Sequence, residues 1–280
     1  MTSRSSRSAG RYPPRPKKRF GQHFLSDRNI LNRIVDGAEV APGEAVVEIG
    51  PGLGALTEVL AERAPRVVAV EVDPDLVAVL GERFAHAPNV AIVAADVLDV
   101  APSEILHRGG ARAPYVVVAN LPYNIAAAVL RHFLEGDAPP RRLVVMVQQE
   151  VAESIVARPT KMSLLGVATQ VYAETSMVMR VAPGAFNPPP AVQSAVVRID
   201  VAGRPRVDAP LDVFFRVVRA GFGNSRKQLR NSLSFGMHVK QEVADEVLHD
   251  AGIDVTLRPQ VLSLEQWAAL ARAWDQAMRR

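Results

Sequence analysis

Apolar residues fall into short runs separated by segments of helical spacing. Ala45-Val46-Val47-Glu48-Ile49, Val67 to Val70, Val90 to Ala94, Tyr115 to Ala119 and Leu143 to Val147 have the length and β-branched content of buried strands. Between them, Leu56, Val59 and Leu60, then Leu76, Val77 and Leu80, then Ile125, Val129, Leu130 and Phe133 recur with the period of a helix face. Strand and helix alternate, which predicts a doubly wound parallel sheet with right-handed crossovers. A helix with Ile30, Leu31, Ile34 and Val35 on one face precedes the first strand, with Ser26 or Asp27 as its cap. Before that cap, Phe24 and Leu25 have the pattern of a hydrophobic staple, with His23 a polar residue beside them.

Later in the chain, Leu164 to Tyr172 reads as helix, and Ser176 to Val181 and Ser194 to Val201 as strands. Ala182 to Pro190 joins those strands in a proline-dense loop expected either to act as a spacer or to display the Phe186 ring as a stacking platform. The composition shifts near Gly203-Arg204-Pro205, and beyond it only helical periodicity remains: Val213, Phe214, Val217 and Val218; Val243, Val247 and Leu248; Leu264, Trp267, Leu270 and Trp274. The expected organisation is a basic arm over 1–17, an α/β domain over 18–203 and a helical domain over 204–280.

Chemistry enters at the strand ends, where ligands of open parallel sheets bind. Gly50-Pro51-Gly52-Leu53-Gly54 follows the first strand, and Glu71 stands 21 positions after Gly50. A glycine turn admits close backbone approach, and a carboxylate at that spacing accepts ribose hydroxyls. These features suit an adenosine-containing cofactor. Gly50, Gly52 and Ala55 also satisfy the loose dinucleotide fingerprint, so a nicotinamide cofactor stays open at this level. Asp96, beyond the third strand, is placed either to bind an exocyclic amine or to cap the residues after it. The fourth strand delivers Asn120-Leu121-Pro122-Tyr123. The Asn120 side-chain oxygen and the Leu121 carbonyl can both accept from an adenine amine, and Tyr123 can stack on the ring. No general base of matched pKa is then required; positioning and electrostatics supply most of the acceleration.

Charge refines the choice of partner. The 280 residues carry a formal net charge of only +4 and no cysteine, which excludes disulfides and thiolate chemistry and agrees with a reducing cytoplasm. No apolar run approaches a membrane span. Residues 1–19 hold arginines and lysines, three prolines and no carboxylate, a composition read as a disordered arm that is either a plain solvated tail or a segment attracted to RNA phosphate. Its arginine and serine content would also fit a transit peptide, against which the prolines argue. No carboxylate occurs between Asp212 and Glu242, whereas Arg216, Arg219, Arg226, Lys227, Arg230 and Lys240 do; such a run is either a solvated face or, as its one-sidedness favours, a phosphate-contacting surface.

Taken in order, Gln22-His23-Phe24-Leu25, Glu48 to Gly54, Glu71-Val72-Asp73, Ala95-Asp96-Val97, Asn120 to Asn124, Phe186 to Pro190 and Arg226 to Leu233 closely resemble the ribosomal RNA adenine dimethyltransferases of the kasugamycin-sensitivity (KsgA/RsmA) type. The resemblance implies a Rossmann-like class I methyltransferase sheet with a C-terminal all-helical domain. It implies S-adenosyl-L-methionine as cofactor, no metal, and dimethylation of two adjacent adenosines in the 3′-terminal hairpin loop of 16S rRNA. The partner would be an immature 30S particle, met by a monomeric, cytoplasmic enzyme. By the same match His23, Leu25, Gly50, Gly52, Glu71, Asp96 and Asn120 hold the cofactor. Asn120, Leu121, Tyr123 and Phe186 form the catalytic set, with Tyr123 and Phe186 sandwiching the base. The family usually has asparagine where His23 stands. Related antibiotic-resistance enzymes that modify large-subunit RNA are the nearest alternative, and the Phe186 loop and the Arg226–Leu233 segment look more like the small-subunit type.

Overall fold

A computed structural model describes residues 23–279, so the expected arm at 1–17 lies outside the described residues. The elements are β1 (Phe24–Leu25), α1 (Arg28–Ala38), β2 (Ala45–Ile49), α2 (Ala55–Arg63), β3 (Val67–Glu71), α3 (Pro74–Arg83), β4 (Val90–Ala94), α4 (Pro102–Arg108), β5 (Tyr115–Asn120), α5 (Ala126–Leu134), β6 (Arg142–Gln148), α6 (Gln149–Ile155) and α7 (Leu164–Gln170). They continue as β7 (Ala173–Val181), β8 (Phe186–Asn187), β9 (Ser194–Val201), α8 (Leu211–Phe222), α9 (Leu229–Met237), α10 (Gln241–Asp250) and α11 (Leu264–Met278).

The predicted buried strands form one seven-stranded sheet in the order β4-β3-β2-β5-β6-β9-β7. From β4 to β6 the pairings are parallel. Strands β2, β3 and β5 are covered on both faces, which is why they read as continuous apolar runs without alternation. The order reverses between β2 and β5, so the ends of these two strands diverge into a crevice. The later pair, β7 and β9, extends the same sheet antiparallel to β6. One core, containing Val47, Val117, Phe133 and Val145, lies on one face of the sheet. Another, built from α1 and α2 with Val46, Val118 and Met146, lies on the opposite face. A helical core around Phe214, Leu233, Trp267 and Leu270 gathers α8 to α11 and also takes Val167 and Val171.

Two local details bear on the site. Asp27 caps α1, its carboxylate accepting from the Asn29 and Ile30 amides. The residues before it form no simple staple: Phe24 and Leu25 pair with Asn187 and Phe186 in a two-stranded antiparallel ladder. The proline-dense loop, expected either as a spacer or as a platform for the Phe186 ring, is tied by this ladder to the start of the chain's described part. The pairing of Phe186 with Leu25 turns the ring inward, where it is 5% exposed and packs in the core of α1 and α2.

Candidate active site

A cavity of about 300 Å³ opens at the carboxyl ends of β2, β3, β4 and β5. Of the residues singled out in the sequence, His23, Leu25, Gly50, Gly52, Glu71, Asp96, Asn120, Leu121 and Tyr123 all line it, whereas Phe186 does not. They come from five separate stretches of chain, and the sheet register brings them together.

The glycine turn makes the floor. Gly50 and Gly52 both have left-handed backbone, with φ of 65° and 60°. A side chain on Gly52 would also meet the Phe24 ring at 3.1 Å, so two constraints act on that position. Glu71 ties the turn to β3. Its Oε1 accepts from the Val72 and Asp73 amides at 3.0 and 2.9 Å, and its Oε2 accepts from the Gly52 amide at 3.3 Å. Burial pushes the Glu71 carboxyl above its ordinary pKa, opposed by those three amides. Asp96 is exposed, lines the cavity and accepts from the Leu98 amide at 3.0 Å through Oδ1, so it also caps its own turn.

One residue that the sequence reading passed over stands at the centre. Glu48, inside β2, lines the cavity and is 1% exposed. Its Oε2 makes no hydrogen bond. Burial is the main cause that pushes its carboxyl up to about 8; the Glu71 charge adds to the rise and the nearby Thr57 hydroxyl opposes it. A buried carboxyl without a partner is costly and favours a cation in the space beside it. The available signal was a single acid in an otherwise apolar strand.

The acceptor side is built from β5 and the β1–β8 ladder. Asn120 ends β5, and its Nδ2 donates to the His23 carbonyl at 3.2 Å. That bond fixes the amide plane and leaves Oδ1 as the acceptor. The Leu121 side chain is buried and its amide donates to the Met146 carbonyl at 3.0 Å, which holds the turn on the sheet. Tyr123 is half-buried, with its hydroxyl 2.8 Å from the Ser194 hydroxyl and its ring stacked on His23 at 6.0 Å and 23°. His23 Nδ1 lies 2.9 Å from the Pro188 carbonyl. His23 thus joins three segments: its own ladder, the Asn120 turn and the proline loop. Nothing in the local pattern around His23 indicated this, because each partner is distant in sequence.

Two cations of the expected basic surface meet carboxylates from outside the carboxylate-free run. Arg230 is paired with Asp245, because α10 packs against α9, and Arg216 lies 3.7 Å from Asp212. Among the described residues no carboxylate pairs with Arg219, Arg226 or Lys227. Among the described residues no group of side chains is arranged to hold a metal ion, and no helix is long and apolar enough to cross a membrane.

The geometry suits an adenosine-type cofactor with a positive centre: a glycine floor, two carboxylates at the strand ends and a buried acid without a partner. Comparison with known proteins narrows this. Residues 15–271 match the family described as ribosomal RNA adenine dimethylase. The chain is 45% identical over 260 residues to a ribosomal RNA small subunit methyltransferase A of Dehalococcoides mccartyi (strain CBDB1), covering 92% of this chain and 88% of that protein. Among solved structures, the 23S rRNA methyltransferase ErmE matches with a TM-score of 0.71 at 30% identity, covering 90% of this chain and 100% of its own. A dimethyladenosine transferase from Plasmodium falciparum shares the fold, with a TM-score of 0.77 at 20% identity over 91% of this chain and 98% of its own. The cavity, the Asn120 turn and these matches agree: the chain belongs to the ribosomal RNA adenine dimethylase family, and it is an S-adenosylmethionine-dependent ribosomal RNA adenine dimethyltransferase.

Proposed function

We propose that this chain dimethylates N6 of two adjacent adenosines in the 3′-terminal hairpin loop of 16S rRNA, acting as a cytoplasmic monomer on an immature small subunit. The observation that carries the acceptor chemistry is the Asn120 amide, held by the His23 carbonyl beside Tyr123 at the mouth of the cavity. The greater identity to a protein named for the small subunit (45%) than to one named for 23S rRNA (30%) supports the choice of RNA.

The cofactor supplies an electrophilic sulfonium methyl when bound. Glu71 and Asp96 would take its ribose and adenine ends, Gly50 and Gly52 its close backbone approach, and Glu48 its positive end. His23 and Leu25 close the cavity from the β1 side. The exocyclic amine of adenine is a weak nucleophile because its lone pair is delocalised into the ring. Asn120 Oδ1 and the Leu121 carbonyl accept its two N–H bonds, which favours a tetrahedral nitrogen with the lone pair aimed at the electrophile. Tyr123 stacks on the base, its ring held in place through Ser194. The base must leave its own stack to reach this turn. Phe186 pairs with Leu25 in the β1–β8 ladder and is buried, so any second face it gives the base requires the ladder to shift when RNA binds.

The test is transfer of labelled methyl from S-adenosylmethionine to undermethylated small subunits, with the modified positions mapped by primer extension across the 3′ hairpin. Two stops at adjacent adenosines are expected. Transfer only to large-subunit RNA would overturn the choice of substrate.

A further inference from the structure

Helix α9 carries a feature that the methyl-transfer site does not use. Leu229, Ser232 and Leu233 bury one face of the helix. Gly236 fixes its roll, since a side chain there would meet Ala220 of α8 at 2.7 Å. With the roll fixed, Phe235 points outward and is 72% exposed, more than Val72, Leu164, Val192 or Met278. A single exposed apolar residue is ordinary. The setting of this one is not. Asn231 lies one turn before it on the same exposed face, and the exposed Gln228 immediately precedes α9. The helix begins directly after an open cleft lined by Gly223, Asn224, Ser225, Arg226 and Lys227. Among the described residues, Arg226 and Lys227 have no carboxylate partner, and the exposed Lys240 follows the far end of the helix.

We infer that this face is a second RNA contact, remote from the methylation pocket, in which an unpaired rRNA base stacks on the Phe235 ring. The flanking phosphates would lie on Arg226 and Lys227 at one end and Lys240 at the other. A flat, exposed ring between cationic groups, with amide side chains along the approach, is the arrangement that takes single-stranded nucleotides: stacking tolerates any base, and the cations follow the backbone. About two turns of helix separate the Lys227 loop from Phe235, roughly 10 Å, a span of one to two nucleotides. The segment from Val213 to Gln241 holds no carboxylate, a charge that would attract an acidic protein surface as well as phosphate; the flat exposed ring is what favours a planar partner. The contact rests on the rRNA-substrate reading above, and its failure is separable from failure of that reading.

The experiment compares wild-type protein with Phe235→Ala, Phe235→Leu and Phe235→Trp in binding to undermethylated small subunits and to protein-free 16S rRNA, over a range of salt. Wild-type methylation of the same subunits establishes the substrate independently. Phe235→Ala and Phe235→Leu are expected to bind roughly tenfold more weakly to both RNAs with an unchanged salt slope, while Phe235→Trp binds at least as well as wild type. Lys227→Ala should instead reduce the salt slope by about one. Cofactor affinity and thermal midpoint should stay close to wild type in all three Phe235 variants, since the residue is 72% exposed. Full binding by Phe235→Leu would overturn stacking, because leucine keeps the apolar surface without a flat face. A loss on intact subunits but not on protein-free rRNA would overturn RNA as the partner and assign the ring to a ribosomal protein. If the wild type neither binds nor methylates small subunits, the substrate reading fails and this contact fails with it.

Discussion

Replacing Glu48 with glutamine isolates what a buried acid without a partner costs the empty enzyme. The wild-type carboxyl is held up at about 8 in the folded chain, against an ordinary value of 4.5. The fold therefore favours the protonated form. The stability associated with that proton is fully present below about pH 4.5 and is lost progressively as the pH rises to about 8. Each pH unit in that window costs about 1.4 kcal/mol. A glutamine in the same place still buries a polar group, but its cost does not change with pH. The difference in unfolding free energy between the two proteins should consequently move by about 3 kcal/mol in favour of Glu48→Gln between pH 5 and 7.5. For a chain of this size that corresponds to a relative shift in Tm of about 5 °C. Urea unfolding followed by circular dichroism, without cofactor and at half-unit steps of pH, measures it. Stability curves that stay parallel within about 0.5 kcal/mol would refute the argument and require a partner for Glu48 that the cavity geometry does not show.

Other outcomes follow from the same geometry. Cofactor affinity, measured by calorimetry, should rise with pH up to about 8 in the wild type, because the cation favours ionised Glu48, and Glu48→Gln should flatten that rise. Asn120→Ala should leave cofactor binding largely intact and lower the rate of methyl transfer by about a hundredfold or more; a fully active variant would remove the role given to the amide. Tyr123→Phe keeps the ring and loses only the bond to Ser194, so its turnover should stay within a few-fold of wild type, whereas Tyr123→Ala should lose most of it in single-turnover assays. Gly52→Ala forces a side chain into left-handed backbone and against Phe24, which should destabilise the chain by about 1–2 kcal/mol and weaken cofactor binding, both readable from Tm with and without cofactor.

Local pattern was enough for the elements that do one thing. Val46-Val47, Val67 to Val70 and Val116 to Val118 are buried on both sides, so their strands declare themselves as unbroken apolar runs, and the glycine turn after β2 carries its backbone requirement in its residue types. The sequence by itself therefore determined the parallel sheet, the cofactor-binding end of that sheet and the polar turn at Asn120. Tertiary structure decided whatever depends on partners distant in the chain. It placed β7 and β9 on the edge of the same sheet, since an antiparallel strand has no local mark saying which edge it will join. It turned Phe186 inward, because pairing with Leu25, far away in sequence, outweighs the stiffness of its proline loop. It paired Arg230 with Asp245 across two helices, and it left Phe235 outside because Gly236 locks against Ala220. Glu48 shows the division within a single residue. Its position in a buried strand is legible as sequence, but its want of a partner is a property of the cavity, which exists only after five separate stretches of chain have folded around it.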